Sequence, residues 1–195
     1  MDKKNAGESR RQQILSAAIK VLSQKGLEKT KVSDIAAEAG VAQGTFYLYY
    51  GSKNALIPAL ADDMLQNMLS RMKDEIDPGM PFQQQLKAIV GITFDMTASY
   101  REVLGLCYSG MAVTGAFLEW ERIYKPYYQW LEERLEAARQ QGEITADLRV
   151  DMAAKILVEA MEGIAEQAYL FEEAEDAEEY QEELMAFLSR ALKPS

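Results

Sequence analysis

The sequence predicts an all-α protein of about nine helices. Apolar residues recur at intervals of three and four along most of the chain, which is the spacing of one helix face, and no segment shows the alternating pattern of a β-strand. Glycine and proline separate these periodic segments, most firmly at residues 77–81, where two prolines and a glycine lie within five positions. The 195 residues are enough for one domain or for a small module fused to a larger one.

Three helices are predicted near the N-terminus. The first should end near Gly26, because glycine readily adopts the left-handed conformation that follows a helix. Thr30 is expected to cap the second helix, which ends at Gly40. A short third helix follows, with Phe46 and Tyr50 four positions apart and therefore on one inner face. Two short helices joined by a glycine turn indicate a helix-turn-helix.

Six further helices are predicted beyond this module. Ser52 is expected to cap the fourth, which begins at Lys53 and ends at the proline-rich break. Pro126 should bend the seventh helix, because proline removes a backbone donor. An acidic loop at residues 172–179 should separate the last two helices. The fifth to ninth helices are expected at residues 82–97, 100–113, 117–141, 151–164 and 180–191.

The positive charge of the chain is concentrated at its N-terminal end. The net charge is −10, yet residues 1–55 contain nine Lys or Arg residues and five acidic residues, a net charge of +4, so the remainder carries −14. A basic end on an acidic body favours contact between that end and a polyanion such as nucleic acid.

The composition argues against several classes of protein. The chain has no histidine, which argues against serine triads and ordinary zinc sites, and we expect no metal, no cofactor and no enzymatic activity. The longest uncharged run, residues 103–118, is too short and too polar to span a membrane. A single cysteine, Cys107, and the lack of a signal-peptide pattern predict a cytoplasmic protein.

The third helix carries the residue types of a DNA-reading surface. Gln43 can present a donor and an acceptor to a base edge, while Gly44 and Tyr47 allow close approach and contact with a thymine methyl group. Hydroxyl groups and a lysine nearby are suited to phosphate contacts, and a serine of the second helix could reach the backbone or a base. The predicted DNA-binding residues are Ser33, Gln43, Gly44, Thr45, Tyr47, Tyr49 and Lys53.

Residues 10–56 resemble the N-terminal module of TetR-family transcriptional regulators. Ala42 departs from the family pattern, which often has Ser there, and Gly51 replaces a commoner Pro or Lys-like residue. The resemblance is strong over the first quarter of the chain and architectural elsewhere, and it implies a DNA-binding domain at residues 1–54 and an effector-binding and dimerisation domain at residues 55–195. The matching positions are Arg11, Ile14, Ala17, Ala18, Gly26, Thr30, Ile35, Ala36, Ala39, Gly40, Val41, Gly44, Thr45, Tyr47, Tyr49, Tyr50, Ser52, Lys53 and Leu56.

The resemblance implies a regulator that binds a palindromic operator in double-stranded DNA as a homodimer and is released by a small effector. Aromatic and methionine side chains in the middle helices imply a lipophilic or aromatic effector, and neighbouring acidic residues would favour a cation. The candidate effector-binding residues are Phe94, Tyr100, Leu104, Cys107, Tyr108, Met111, Phe117, Trp120, Tyr124, Tyr127 and Tyr128. The candidate dimer residues are Ile156, Leu157, Ala160, Met161, Ile164, Tyr180, Leu184, Phe187 and Leu188.

Two alternatives remain open from the sequence alone. One is a helical protein that binds a small molecule without regulating transcription, and the other is an enzyme with an acidic helical body. The candidate DNA-binding residues argue against the first, and the lack of histidine argues against the second.

Overall fold

A computed structural model describes residues 3–114, 117–171 and 177–194, without the side chains of residues 3–6, 109, 111–114 and 117–118. The described residues form nine α-helices and no β-strand, which confirms the predicted all-α fold. A π-helical segment, Gln167–Phe171, continues directly from the eighth helix. The helices are α1 Lys3–Lys29, α2 Val32–Glu38, α3 Gln43–Tyr49, α4 Leu56–Glu75, α5 Phe82–Ser99, α6 Arg101–Thr114, α7 Phe117–Gln140, α8 Val150–Glu166 and α9 Ala177–Ala191.

The chain divides into two compact units. The first comprises Met1–Asp63 and Glu102–Trp120, and the second comprises Met64–Arg101 and Glu121–Ser195. The first unit therefore contains α6 and the beginning of α4 as well as the three N-terminal helices. The domain boundary after residue 54 stays a prediction, since these units describe packing rather than separable domains.

The first unit is built on apolar side chains from five helices. Ile14, Ile35, Phe46 and Ile57 are fully buried and come from α1, α2, α3 and α4. Helix α6 completes this unit and approaches α4 closely at Gly110, where an added Cβ atom would lie 2.6 Å from Cγ1 of Ile57. Glycine at this position therefore allows the two helices to pack at this distance.

The second unit has its core where α5, α7, α8 and α9 meet. Leu86 and Phe94 of α5, Leu131 of α7 and Met161 of α8 are fully buried. Helix α8 packs against both α5 and α9. The apolar stripe predicted from the spacing in α8 thus faces the interior of this unit along much of its length.

Helix α1 continues to Lys29 past Gly26, where the sequence predicts its end, and Gly26 interrupts the helix with a φ angle of 72°. Three other predicted helix ends differ from the structure. Thr30 does not cap α2, because its hydroxyl donates to the carbonyl of Gly26 at 2.7 Å and the N-cap position is Lys31. Helix α4 begins at Leu56 rather than at Lys53, although Ser52 Oγ does accept a bond from the N–H of Ala55 at 3.3 Å.

The third difference concerns the predicted acidic loop. Residues 172–176 lie outside the described residues, and residues 177–179 form the first turn of α9 rather than a loop. Glu178 and Glu179 are favourable there, because acidic side chains stabilise the positive end of the helix dipole. Helix α7 continues across Pro126, and the bend expected there stays a prediction.

Candidate functional site

The turn between α2 and α3 is fixed by a glycine. Gly40 has a φ angle of 63°, which glycine adopts without the strain that a Cβ atom would cause. Its N–H donates to the carbonyl of Ala37 at 3.1 Å, and the N–H of Val41 donates to the carbonyl of Ala36 at 2.9 Å. This bond pattern ends α2 and sets the direction in which the chain enters α3.

Helix α2 is attached to α1 by three polar contacts. Gln13 Nε2 donates to the carbonyl of Ala39 at 2.7 Å, at the C-terminal end of α2. The ammonium of Lys25 lies 3.0 Å from the carboxylate of Asp34, and Lys20 pairs with Glu38 on the next turn. Hydrogen bonding to Lys25 lowers the pKa of Asp34, so this carboxylate stays ionised and the pair is maintained.

The inner face of α3 packs on α1, as the sequence predicts. Phe46 and Tyr50 are buried, with ring centroids 5.6 Å apart. The hydroxyl of Tyr50 donates to the carbonyl of Arg11 at 3.2 Å, and the guanidinium of Arg11 lies 5.8 Å from the ring centroid. Burial raises the pKa of Tyr50 to about 12, so the hydroxyl remains a donor at neutral pH.

The outer face of α3 is open to solvent. Gln43 and Gly44 are exposed, and the side chains of Tyr47 and Tyr49 are 51% and 36% exposed. Ser33 of α2 is also exposed, whereas Thr45 is partly buried. The structure therefore brings six of the seven predicted DNA-binding residues to one short helix and its partner in a form that a large ligand can reach.

Leu48 belongs to this outer face and was missed by sequence reasoning. It is 82% exposed, more than any other large apolar residue described in the chain. An apolar residue is usually assigned to the core, yet Leu48 lies four positions after Gly44 and so on the same side of α3. The helical spacing was the signal that could have identified it.

Lys53 takes part in an unexpected contact at the end of α1. Its ammonium donates to the carbonyls of Leu27 at 2.5 Å, Thr30 at 2.8 Å and Glu28 at 3.2 Å. All three N–H donors of the ammonium therefore have main-chain acceptors. In this arrangement Lys53 connects the segment after α3 to the C-terminal end of α1, and the predicted phosphate contact stays a prediction.

The candidate effector residues fall into both units. Within the second unit Phe94 and Tyr127 are buried, and Tyr100, Tyr124 and Tyr128 are partly exposed. The side chains of Met111 and Phe117 lie outside the described ones. The candidates in the first unit with described side chains are Leu104, Cys107, Tyr108 and Trp120, of which Leu104 and Cys107 are buried and Tyr108 is 44% exposed.

Cys107 is placed as a structural residue rather than a reactive one. Burial raises the pKa of its thiol to about 12, and its Sγ atom lies 3.9 Å from the carbonyl oxygen of Ile57. The thiolate is the reactive form of cysteine, and it is not formed at neutral pH under these conditions.

A carboxylate that the sequence did not identify lies among the aromatic residues of the second unit. The hydroxyl of Tyr124 donates to Oε2 of Glu162 at 2.7 Å, and the rings of Tyr124 and Tyr128 have centroids 5.7 Å apart. Burial raises the pKa of Glu162 to about 8, and the bond from Tyr124 opposes part of that rise. Glu162 directly follows Met161 of the apolar stripe of α8, and an acid beside that stripe was the available signal.

The candidate dimer residues divide between core and surface. Leu157, Met161, Leu184 and Leu188 are buried within this chain and contribute to its own core. Ile156 is 62% exposed and Phe187 is 61% exposed, whereas Ala160, Ile164 and Tyr180 are partly exposed. A groove of about 500 Å³ lies between α8 and α9, lined by Glu159, Ala160, Gly163, Ile164, Tyr180, Glu183, Leu184, Phe187 and Arg190.

Two kinds of site are not found in the part of the chain that the structure describes. No group of three or more cysteine, aspartate or glutamate side chains there is arranged to hold a metal ion. None of the described helices combines the length and apolar character that crossing a bilayer requires.

Comparisons with known proteins agree with this arrangement of helices. Residues 14–60 match the family described as bacterial regulatory proteins, tetR family, and residues 86–192 match the tetracyclin repressor-like C-terminal domain. The chain is 41% identical over 182 residues to the uncharacterized HTH-type transcriptional regulator YvdT of Bacillus subtilis (strain 168), covering 93% of this chain and 94% of that protein.

Two further proteins are similar over most of the chain. The fatty acid metabolism regulator protein of Bacillus subtilis (strain 168) is 29% identical over 150 residues, covering 74% of this chain and 76% of that protein. The structure of the transcriptional regulator FadR from Bacillus subtilis in complex with stearoyl-CoA superposes with a TM-score of 0.80 at 22% identity. That superposition covers 93% of this chain and 98% of the other, so the two share a fold.

Proposed function

Because the chain belongs to the TetR family and is a helix-turn-helix transcriptional regulator, we propose that it represses transcription from a palindromic operator as a homodimer. A small effector that binds the second unit would relieve this repression in the cytoplasm. The observation that carries the proposal is the outer face of α3, where exposed polar and aromatic groups are held on a helix whose inner face is buried against α1.

Operator recognition is assigned to this outer face. Gln43 can form two hydrogen bonds with one base, and Gly44 and Tyr47 allow close contact with a thymine methyl group. Leu48 adds an apolar side chain that is 82% exposed and suited to the same methyl contact. Ser33, Thr45 and Tyr49 supply hydroxyl groups for phosphates, which fix the register of α3 without specifying sequence.

Dimer formation is assigned to the surface formed by α8 and α9. Ile156 and Phe187 expose large apolar side chains there, beside a groove lined by Ala160, Ile164 and Tyr180. A second copy would cover these apolar groups by a two-fold contact in which the same surface is used by both chains. Such a dimer would present two copies of α3 to half-sites about 34 Å apart or at a multiple of that spacing.

Release by an effector is supported by two observations. FadR of Bacillus subtilis is a structural neighbour and is in complex with stearoyl-CoA, a lipophilic ligand. In this chain the second unit contains aromatic side chains that are only partly buried, among them Tyr124 and Tyr128. A ligand that binds better to a dimer whose two α3 helices are spaced wrongly for the operator would shift the population from the DNA-bound to the free form.

The proposal is tested by selecting genomic fragments that the purified protein retains and measuring binding by fluorescence anisotropy. The variant Gln43→Ala should lose about 1–3 kcal/mol of preference at one base pair of each half-site, because its bidentate contact is removed. The matched control is Gln24→Ala, which makes the same change at an exposed position of α1. If both variants lose affinity equally for operator and random DNA, the assignment of α3 as the reading surface is wrong.

A further inference from the structure

We propose that Tyr124, Tyr128 and Glu162 form a binding site for the ammonium group of a lipophilic cation, and that such a cation is the effector. The inference rests on the proposed function, since it names the chemical class of the ligand that relieves repression. All three residues belong to the second unit, on facing positions of α7 and α8.

The geometry is that of a cation site built from rings and a carboxylate. The Tyr124 and Tyr128 rings lie 5.7 Å apart between centroids and are tilted by 31° relative to each other, so they form one aromatic pair. The Tyr124 hydroxyl bonds to Oε2 of Glu162 at 2.7 Å, which leaves the other carboxylate oxygen available. A ring face attracts a cation through its quadrupole, and a carboxylate beside the ring adds a full opposite charge.

The protein already places one of its own ammonium groups at the edge of this site. Nζ of Lys155 lies 5.6 Å from the centroid of the Tyr128 ring and 3.9 Å from the carboxylate of Glu121. The same combination of ring and acid therefore holds a cation in the free protein. The inner combination, Tyr124 with Glu162, has the same chemistry, and no lysine or arginine within the described residues forms a salt bridge with Glu162.

A buried tyrosine of α7 also lies within the electrostatic range of Glu162. Tyr127 is 1% exposed, and its hydroxyl meets no geometric hydrogen-bond criterion among the described residues, although Thr93 of α5 interacts with it. Burial and the carboxylate of Glu162 raise the pKa of Tyr127, and the interaction with Thr93 opposes part of that rise. The hydroxyl therefore stays protonated at neutral pH and adds no second negative charge beside Glu162.

The charges around the site favour a cation over an anion. Glu159 and Glu166 act on Glu162, and Glu121 acts on Tyr128, whereas the basic Lys155 lies at the edge of the site, beside Tyr128 and Glu121. The phosphates of an acyl-CoA molecule would meet these acids, whereas an alkylammonium ion would be attracted by them. The groups that act on Glu162 are Tyr124 of α7 and Glu159 and Glu166 of α8, and Glu162 acts in turn on Tyr127 and Tyr128 of α7. Thr93 of α5 interacts with Tyr127, and Lys155 and Glu121 interact with Tyr128.

The affinity for a cation should rise with pH. Burial raises the pKa of Glu162 to about 8, so in the free protein at lower pH the carboxyl group is mostly protonated. A bound cation favours the ionised form, and the cost of removing the proton disappears as the pH passes the pKa. The ionised fraction, and with it the affinity, should increase about 25-fold between about pH 6.5 and about pH 8.5.

The test measures binding of decyltrimethylammonium to the full chain by titration calorimetry, with decyl sulfate as the anionic probe. The quaternary ammonium keeps its charge at every pH, so a change with pH reports on the protein. We expect binding of the cation alone, weakened at least about tenfold by Glu162→Gln, with the pH dependence lost in that variant. Tyr124→Phe should weaken binding while leaving the carboxylate in place, and Glu133→Gln, an exposed acid of α7, should have no effect.

Three outcomes would overturn the inference: no binding of the cation, equal binding by Glu162→Gln, or preferential binding of decyl sulfate. Circular dichroism and the melting temperature of each variant separate loss of the site from loss of the fold. Anisotropy with operator DNA, measured without and with the cation, separates this inference from the proposed function. If the protein binds DNA but not the cation, only the inferred cation site is refuted. If it binds the cation but no DNA, the regulatory proposal is refuted.

Discussion

Replacement of Lys53 by methionine tests whether this residue holds α3 in place or contacts a DNA phosphate group. The substitution removes the ammonium and keeps an aliphatic chain of similar length. Two of the three lost hydrogen bonds, to Leu27 and Thr30, are partly buried, and the third, to Glu28, is exposed. At about 1 kcal/mol for each partly buried bond and close to zero for the exposed one, the free energy of unfolding should fall by about 2 kcal/mol.

The two roles differ in the salt dependence of DNA binding. A phosphate contact releases counterions, so its loss makes the plot of log affinity against log salt concentration shallower by about 0.9 per contact. A positioning role predicts the same slope, lower stability and a greater loss of affinity for operator than for random DNA. Urea unfolding and anisotropy titrations at several salt concentrations measure these quantities.

The matched control is Lys29→Met, which removes an exposed lysine from the last turn of α1. Its free energy of unfolding should change by less than about 0.5 kcal/mol, as for most surface substitutions. The positioning role would be refuted if Lys53→Met left the stability unchanged and lowered the slope. That result would restore the phosphate contact that the sequence suggests.

Three other predictions follow from named contacts. Gly110→Ala should lower the free energy of unfolding by about 1–3 kcal/mol in urea titrations, because its Cβ would lie 2.6 Å from Ile57, whereas Gly105→Ala, with open space at its Cβ, should not destabilise the protein. Phe187→Glu should convert the proposed dimer to a monomer in sedimentation experiments, since a charge would replace an apolar group that is 61% exposed; an unchanged dimer would exclude this surface. The free energy of unfolding should decrease between pH 4.5 and about 8, because the folded form of Glu162 holds its proton to a higher pH than the unfolded form; this part of the decrease should be missing in Glu162→Gln, and identical pH profiles would contradict it.

Much of the fold followed from spacing alone. The position of Gly40 predicted the end of α2, whereas Gly26 interrupts α1, which continues to Lys29; both glycines have positive φ angles. Phe46 and Tyr50 were assigned to the inner face of α3 from a separation of four residues, and both are buried. Helix ends were predicted less well, because Thr30 and Lys53 had alternative partners that only the packed chain brings near.

The candidate sites were predictable to different degrees. The candidate DNA-binding residues lie mostly within the short helix α3, so its exposed residues could be identified from helical periodicity, with the exception of Leu48. The stripe in α8 was read as a dimer surface, but periodicity does not distinguish the side that faces the core from the side that faces a partner. The structure separates them, with Leu157 buried and Ile156 exposed.

The sequence by itself determined the all-α fold, the helix-turn-helix and the separation of a basic end from an acidic body, since these depend on residue type and on spacing within one helix. Only the tertiary structure decided that the ammonium of Lys53 binds the end of α1 and that Glu162 meets Tyr124. The first contact joins residues that are 26 positions apart in the sequence, and the second joins residues that are 38 positions apart. Their formation depends on how the helices pack, which spacing within a single helix does not specify.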